Sequence, residues 1–297
     1  MRFGLAGTGH WAQIAHAPAL AATPGVSLAA VWGRNADAAR SLASEHGAAA
    51  FSDVGEFLDA VDAVAFAVPP DVQAPLAIRA AEAGKHLLLE KPVALSVSDA
   101  DKLVAAVAAA GGASVVFFTH QFNTEVRAWL ADERARGAGG GWSGGVAVWL
   151  GAALQPDSPF NTPWRQDKGG LWDLGPHVVA MLWACLGRVT SVTAVAGGPD
   201  VTHLVLWHSG GASSAATVTL SAPPAAAGTN LFVWGEAGRS VMPAMPDDPV
   251  DALRVAALEL VASAESGRPH RCDVRFGREV VKVLADAQAQ LEAQGSP

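Results

Sequence analysis

A turn near the start of the chain has the residue types and spacing of a dinucleotide-binding turn. It consists of Gly7, Thr8, Gly9, His10, Trp11 and Ala12. In such turns the first glycine allows a sharp bend, the second lets the backbone approach a pyrophosphate, and a small third residue packs helix against strand. N–H groups of the following helix face the anion. We therefore predict NAD(P) binding here; a structural turn and a site for another nucleotide, such as S-adenosylmethionine, are the alternatives.

The end of the second predicted strand bears on the choice between NAD and NADP. An NAD site usually has an Asp or Glu there, for the ribose 2′-hydroxyl. This chain has no acid at that point, and Arg34 follows instead. A guanidinium can pair with a 2′-phosphate, so the prediction favours NADP over NAD. The alternative is a solvated arginine at the start of the next helix.

Lys91 follows an apolar stretch at residues 86–89 that reads as a buried strand. Ligands of open α/β sheets bind at the carboxyl ends of the strands. An ammonium placed there can bind a substrate oxygen and stabilise alkoxide charge. A structural ion pair between Lys91 and Glu90 is the alternative.

Asp173 and His177 lie four residues apart. If a helix starts here, both side chains share one face. A carboxylate can then orient an imidazole, and an imidazole can transfer protons near neutral pH. The alternative is a helix-capping Asp173 and a core His177.

The hydrophobic pattern predicts two domains in an α/β protein. Up to residue 119, apolar strands at 2–6, 26–32, 61–68, 86–89 and 114–119 alternate with helical segments, which predicts a doubly wound parallel sheet. Residues 120–297 are predicted as an α+β domain with an open, largely antiparallel sheet. Its predicted strands are 146–151, 189–196, 202–207, 215–221 and 231–235, and its predicted helices are 124–136, 249–266 and 275–294.

The composition excludes several classes of protein. A content of 51% hydrophobic and 16% charged residues indicates a globular chain, and a net charge of −8 argues against a nucleic-acid or membrane surface. Two cysteines, Cys185 and Cys272, suggest a reducing compartment, so we expect a cytoplasmic protein without a metal site. The chain has no tyrosine, which argues against short-chain dehydrogenases and aldo-keto reductases, because these use a tyrosine hydroxyl.

Three motifs in the expected order carry a resemblance to a known family. Gly84–Pro92 reads GKHLLLEKP, the segment 64–70 precedes it, and Gly169–His177 reads GGLWDLGPH. These segments resemble the EKP signature, the cofactor-facing loop and the GGxxxDxGxH helix start of the glucose–fructose oxidoreductase and inositol dehydrogenase (Gfo/Idh/MocA) family. The resemblance is strong through residue 190 and weaker beyond it.

The resemblance implies roles for particular residues. Lys91, Asp173 and His177 match the family's catalytic positions. The cofactor side is implied for Val68, Pro69, Gln73, Glu90 and Lys91. Trp164 and Arg165, predicted on a loop, match a Trp-Arg pair that the family places near the nicotinamide or the substrate; a surface loop with a packed tryptophan is the alternative.

The chain also departs from the family pattern. Gln73 stands where the family often has His, Ala180 where it often has Asp, and His120-Gln121-Phe122 where an Asn-x-Arg-Phe-like segment is usual. We expect reshaped substrate contacts but retained chemistry, namely hydride transfer between nicotinamide C4 and a secondary alcohol or ketone of a small polyol, sugar or related substrate. A non-catalytic dinucleotide-binding sensor or regulator is the alternative, as is reduction of a C=N, C=C or dihydrodiol bond.

The second predicted sheet has Val, Leu and Trp on both of its faces, within 202–220 and 231–235. An apolar face left open by one chain is usually covered by another. We therefore expect a homo-oligomer, a dimer or a tetramer.

Overall fold

The computed structural model describes residues 1–137, 141–236, 238–244 and 248–295. The chain divides into two compact units, each built from two segments. The first unit comprises Met1–Asn123 and Asp247–Glu279, and the second comprises Thr124–Pro246 and Val280–Pro297. The functional boundary at 119/120 stays a prediction.

The first unit alternates strands and helices along its amino-terminal segment. In chain order these are β1 (Arg2–Ala6), α1 (Ala17–Ala22), β2 (Ser27–Trp32), α2 (Ala36–Glu45), β3 (Ala49–Phe51), α3 (Val54–Asp59), β4 (Ala63–Phe66), α4 (Pro70–Glu82), β5 (His86–Glu90), α5 (Val97–Ala110), β6 (Ser114–Phe117) and α6 (Thr119–Phe122). The strands pair in parallel in the order β3-β2-β1-β4-β5-β6. Every residue of β4 and β6 is buried, as expected for strands covered on both faces.

Side-chain caps fix where three of these helices begin. Asn35 accepts hydrogen bonds from the backbone N–H groups of Asp37 and Ala38. Asp53 and Ser96 do the same at the starts of α3 and α5. Such caps satisfy N–H groups that have no partner within the helix.

The second unit contains a mixed sheet and the helices that pack on it. In chain order its elements are α7 (Thr124–Gly137), β7 (Trp142–Leu150), α8 (Pro163–Asp173), α9 (Gly175–Leu186), β8 (Val189–Ala196), β9 (Thr202–His208), β10 (Ser213–Thr219), β11 (Gly228–Gly235) and β12 (Gly238–Val241). The strand order is β12-β11-β7-β10-β9-β8; β7 and β10 are parallel, and the other neighbours are antiparallel.

Two further helices follow the mixed sheet in sequence. They are α10 (Pro249–Ser266), whose residues belong to the first unit, and α11 (Val274–Gly295), which has residues in both units. None of the described helices is both long and apolar enough to cross a membrane.

One face of the mixed sheet is buried and the other is exposed. Along β9 the residues alternate: Leu204 and Leu206 are buried, whereas Val205 and Trp207 are 40% and 42% exposed. This period-two pattern is typical of a sheet with one covered face. Gln290 of α11 binds the edge strand β8 on the covered side, through Val192 O and Ala194 N.

The predicted fold class is confirmed: a parallel Rossmann-type sheet and a largely antiparallel second sheet. Strand β8 and helix α10 have the predicted bounds. The prediction of a loop at Trp164 and Arg165 was wrong, because both residues lie in α8. That helix begins at Pro163, whose missing N–H costs nothing in a first turn.

Candidate functional site

The turn after β1 has the geometry that a dinucleotide requires. Gly7 has a φ of +131°, and a Cβ there would collide with the carbonyl oxygen of Ala67. The Gly7 N–H donates to Trp32 O at 2.8 Å, which ties the turn to the end of β2. At Gly9, by contrast, a Cβ would have no heavy atom within 4 Å. The backbone at Gly9 is therefore open to a ligand.

A π-helical turn at Ala12–His16 connects this glycine turn to a buried carboxylate. His16 is fully buried, and its Nε2 lies 2.9 Å from Glu90 Oε1. Trp11 Nε1 donates to the same oxygen at 2.6 Å. π-turns insert one extra residue into a helix and often occur at functional sites. Here the turn carries His16, and Trp11 immediately precedes it, so both side chains reach Glu90.

Glu90 and Gln73 together fix the backbone on either side of Lys91. Glu90 Oε2 accepts from Lys91 N at 3.3 Å. Gln73 is fully buried; its Oε1 accepts from Glu90 N at 2.8 Å, and its Nε2 donates to Glu90 O and Pro92 O at 2.8 and 3.1 Å. The amide of Gln73 thus acts on the backbone, and its predicted contact with the cofactor stays a prediction.

Lys91 is half-buried, and its positive charge acts on the imidazole of His120. His120 of α6 is 6% exposed. Burial and, second, the positive charge of Lys91 lower the pKa of His120 to about 4. His120 is consequently neutral at pH 7, and it adds no positive charge beside the Lys91 ammonium.

Asp173 and His177 belong to two successive helices of the second unit. Asp173 ends α8, and His177 lies in the first turn of α9, where its N–H donates to Leu174 O at 3.0 Å. Leu174, between the two helices, keeps a right-handed helical backbone with φ −96° and ψ −32°, and the shared face expected for the pair stays a prediction. Both side chains are buried, at 5% and 8% exposure.

Arg165 pairs with Asp173 within the second unit. Its Nε donates to Asp173 Oδ2 at 2.9 Å, and its guanidinium carbon lies 4.7 Å from the ring centroid of Trp164. A guanidinium stacked on an indole and paired with a carboxylate is held in one orientation. The structure shows Arg165 as a partner of Asp173, whereas the orientation of His177 or Lys91 by Asp173 stays a prediction.

The predicted site residues are divided between the two units. In the first unit, Gly7 to Ala12 form the glycine turn, Arg34 is exposed just after β2, Val68 and Pro69 precede α4, and Gln73, Glu90 and Lys91 form the network described above. Trp164, Arg165, Asp173 and His177 lie in the second unit.

Sequence reasoning missed His16. Its position in the segment AQIAH gives no signal, because its partner Glu90 lies 74 residues away. Among the described residues, no group of His, Cys, Asp or Glu could hold a metal ion.

Comparison with known proteins supports the sequence motifs. Residues 1–118 match the family model GFO_IDH_MocA, described as an oxidoreductase family with an NAD-binding Rossmann fold. The match covers the glycine turn and the segment around Lys91.

Curated relatives extend the similarity beyond this domain. The chain is 28% identical to the uncharacterized oxidoreductase YdgJ of Escherichia coli (strain K12) over 202 residues, 65% of this chain and 56% of that protein. It is 31% identical to the dTDP-3,4-didehydro-2,6-dideoxy-alpha-D-glucose 3-reductase of Streptomyces violaceoruber over 194 residues, 63% of this chain and 55% of that protein. The chain thus spans about half the length of these two relatives.

Solved structures share the fold over nearly the whole chain. Levoglucosan dehydrogenase in complex with NADH and levoglucosan has a TM-score of 0.86 at 20% identity, over 99% of this chain and 98% of that chain. UDP-N-acetylglucosamine 3-dehydrogenase GnnA from Acidithiobacillus ferrooxidans has a TM-score of 0.81 at 22% identity, over 99% and 98%. Residues 1–118 thus match the model of the oxidoreductase family that the motifs resemble, and the solved structures share the fold of the whole chain.

Proposed function

We propose that the chain is an NAD(P)-dependent dehydrogenase or reductase. Its substrate is a secondary alcohol or ketone of a small polyol, sugar or related molecule. One observation carries the proposal: the Glu90 carboxylate binds Trp11 of the glycine turn, His16 just after that turn, and the backbone N–H of Lys91. A single buried group thus links the dinucleotide turn to the ammonium that suits a substrate oxygen.

The residues at the glycine turn fit a dinucleotide. The open space at Gly9 leaves the backbone accessible to a pyrophosphate, and the Gly7 turn has no room for a side chain. Thr8, His10, Trp11 and Ala12 complete the proposed pyrophosphate side, and Val68, Pro69 and Gln73 the nicotinamide side. When bound, the nicotinamide supplies hydride transfer at C4.

The chain's own residues handle the substrate oxygen and its proton. Lys91 hydrogen-bonds the oxygen and stabilises the negative charge that develops on it. His177 takes the hydroxyl proton during oxidation and returns it during reduction. Asp173 orients His177 or Lys91. Arg165 pairs with Asp173, and Trp164 stacks against the Arg165 guanidinium.

The test is steady-state kinetics on Lys91→Ala and His177→Ala. We expect kcat to fall by roughly 10²- to 10⁴-fold in each, while the dissociation constant of the cofactor changes by less than about threefold. Lys85→Ala and His46→Ala are matched controls, since neither residue is assigned to the site. Near-parental turnover in both site variants would reject the assigned roles.

A panel of polyols, sugars and ketones separates catalysis from a sensor or regulator role. Named relatives include galactose 1-dehydrogenase of Pseudomonas fluorescens and levoglucosan dehydrogenase of Pseudarthrobacter phenanthrenivorans, so the panel starts with sugars. Tight cofactor binding without turnover of any member would favour the non-catalytic role.

Arg34 supports NADP as the preferred cofactor. It is exposed directly after β2, and no hydrogen bond or ion pair joins its side chain to another described residue. Replacing it by Gln should weaken NADP binding by about tenfold, the value of a charge-assisted hydrogen bond, and leave NAD binding within twofold. If the parent protein binds NAD as tightly as NADP, this preference is wrong.

The exposed face of the mixed sheet supports a homo-oligomer. Large apolar side chains on this face remain 40–49% exposed: Val195, Val205, Trp207, Trp234 and Val241. They come from β8, β9, β11 and β12 of one sheet, so they present a shared apolar surface rather than scattered residues.

A further inference from the structure

Asp200, on the turn between β8 and β9, binds two segments that are distant in sequence. Its Oδ1 accepts from Gly170 N at 2.6 Å. Its Oδ2 accepts from Leu220 N at 2.6 Å, Thr219 Oγ1 at 3.1 Å and Ser221 Oγ at 3.2 Å. The carboxylate therefore joins the middle of α8 to the end of β10. Its backbone φ of +66° lies in the left-handed region, which costs energy for a residue with a side chain.

The double glycine of α8 is shaped to receive this carboxylate. Gly169 has a φ of +62° and a ψ of −165°, so the helix is kinked there. A Cβ at Gly169 would collide with Asp200 Oδ1, and one at Gly170 would lie 2.8 Å from Thr219 Cα. The absence of side chains at both positions lets Asp200 and β10 approach the α8 backbone.

The kink decides which side chains of α8 can meet. Arg165 and Asp173 are eight positions apart, which on a straight helix is a rise of about 12 Å. In the kinked helix Arg165 Nε lies 2.9 Å from Asp173 Oδ2. The ion pair beside the proposed catalytic group thus depends on the bend, and the bend is bonded to Asp200.

We propose that Asp200 is a positioning residue, which holds the bend at Gly169 and Gly170 and so keeps Asp173 paired with Arg165. The role assigned to Asp173 rests on the proposed function. Asp200 itself acts through the α8 backbone, and its hydrogen bonds to described residues lie within the second unit.

Two variants separate the carboxylate from the backbone strain. Asp200→Gly adopts a positive φ freely, so it removes only the carboxylate. Asp200→Asn keeps the shape and tolerates the left-handed conformation, but one acceptor oxygen becomes a donor. Asp248→Gly is the matched control, because Asp248 caps α10 through Val250 N and has no part in the site.

Kinetics provide the first readout. We expect Asp200→Gly to lower kcat by about 10- to 100-fold, with Asp200→Asn intermediate and the cofactor dissociation constant within about twofold of the parent. Asp248→Gly should keep the parental kcat at temperatures where all variants are folded. An equal loss of kcat in Asp248→Gly, or a parental kcat in Asp200→Gly, would overturn the proposal.

A second readout does not depend on turnover. In ¹⁵N-labelled protein the Arg165 Nε–H signal, identified by its loss in Arg165→Lys, reports the pair with Asp173. This signal should move or broaden in Asp200→Gly and stay in place in Asp248→Gly. If the parent shows no turnover but the signal responds, the positioning role stands and the proposed reaction fails. An unchanged signal in Asp200→Gly overturns the positioning role.

Discussion

Glu90 is 9% exposed, and three donors compensate the burial of its carboxylate. A carboxylate loses several kcal/mol of hydration free energy when it is buried, and without such partners this loss would not be compensated. The donors come from Trp11, His16 and the Lys91 backbone, so the same bonds that stabilise the charge also fix the start of the Lys91 segment. The sequence indicated Glu90 and Lys91 by type, but the donors to Glu90 follow only from the fold.

His120 gives a pH-dependent stability with a definite sign. Its pKa is about 4 in the folded protein, whereas an unfolded histidine titrates near 6.5. Between these values the unfolded chain binds a proton that the native chain does not, so the free energy of unfolding falls as the pH drops from about 6.5 to 4. The loss from this group reaches about 3 kcal/mol. Below pH 4 both states are protonated and the contribution levels off.

Urea unfolding of the parent protein and of His120→Gln at pH 7 and pH 4 measures this contribution. Burial also lowers the pKa of His86 and His208, so only the difference between the two proteins isolates His120. The variant should lose about 3 kcal/mol less than the parent over this range. His120→Asn is the second variant if the glutamine does not fit. An equal loss of unfolding free energy between pH 7 and pH 4 in the parent and the variants would contradict the assignment.

In the glycine turn after β1, Gly7 is required by the backbone conformation and Gly9 by the space proposed for the ligand. Gly7→Ala should destabilise the fold by about 1–3 kcal/mol, because of its positive φ and the clash with Ala67. Gly9→Ala should leave the melting temperature within about 2 °C and weaken NADPH binding by at least about tenfold, since its methyl would occupy only the space proposed for the pyrophosphate.

Calorimetry and fluorescence titration of NADPH distinguish the two effects. Gly25→Ala is the control, because Gly25 has a φ of +78° and open space around its Cβ position. It should lower stability by about 1 kcal/mol without changing cofactor affinity. Unaltered NADPH binding in Gly9→Ala would show that the pyrophosphate does not bind at this turn.

Helices α8 and α9 show where element prediction reached its limit. The motif GGLWDLGPH indicated a helix start, but two helices form, one ending at Asp173 and one beginning at Gly175. The double glycine argues locally against helix, because Gly lowers helix propensity by about 1 kcal/mol. Contacts with Asp200 and the end of β10 stabilise the kink, and they come from segments 30 and more residues away.

At the scale of the whole molecule, the open sheet face predicts association of identical chains. Light scattering should give a multiple of 30.3 kDa. A double variant, Val205→Lys with Trp207→Glu, should shift the mass to about one chain, because two charges would enter the apolar surface. Leu258→Lys is the matched control: Leu258 of α10 is 44% exposed but lies outside this face, so its variant should keep the parental mass. A parental protein near 30 kDa would reject the oligomer.

The sequence by itself determined the Rossmann sheet and the identity of most candidate residues. Parallel strands buried on both faces, such as β4 and β6, leave unbroken apolar stretches, and a glycine turn is specified by local backbone geometry. Short edge strands such as β3 and β12 went unpredicted, because their few residues carry too little hydrophobic pattern and form mainly by pairing with a neighbour.

Only the tertiary structure decided how these residues are held. Gln73 on the backbone around Lys91, His16 on Glu90 and Asp200 on Gly170 are pairings across the fold, and the pair of Arg165 with Asp173 depends on the kink that Asp200 binds. Their geometry arises when separate strands and helices pack, so spacing along the chain contains no trace of it. The residues that the motifs specified are the ones proposed to touch cofactor and substrate, and the residues that the fold revealed are the ones that hold them.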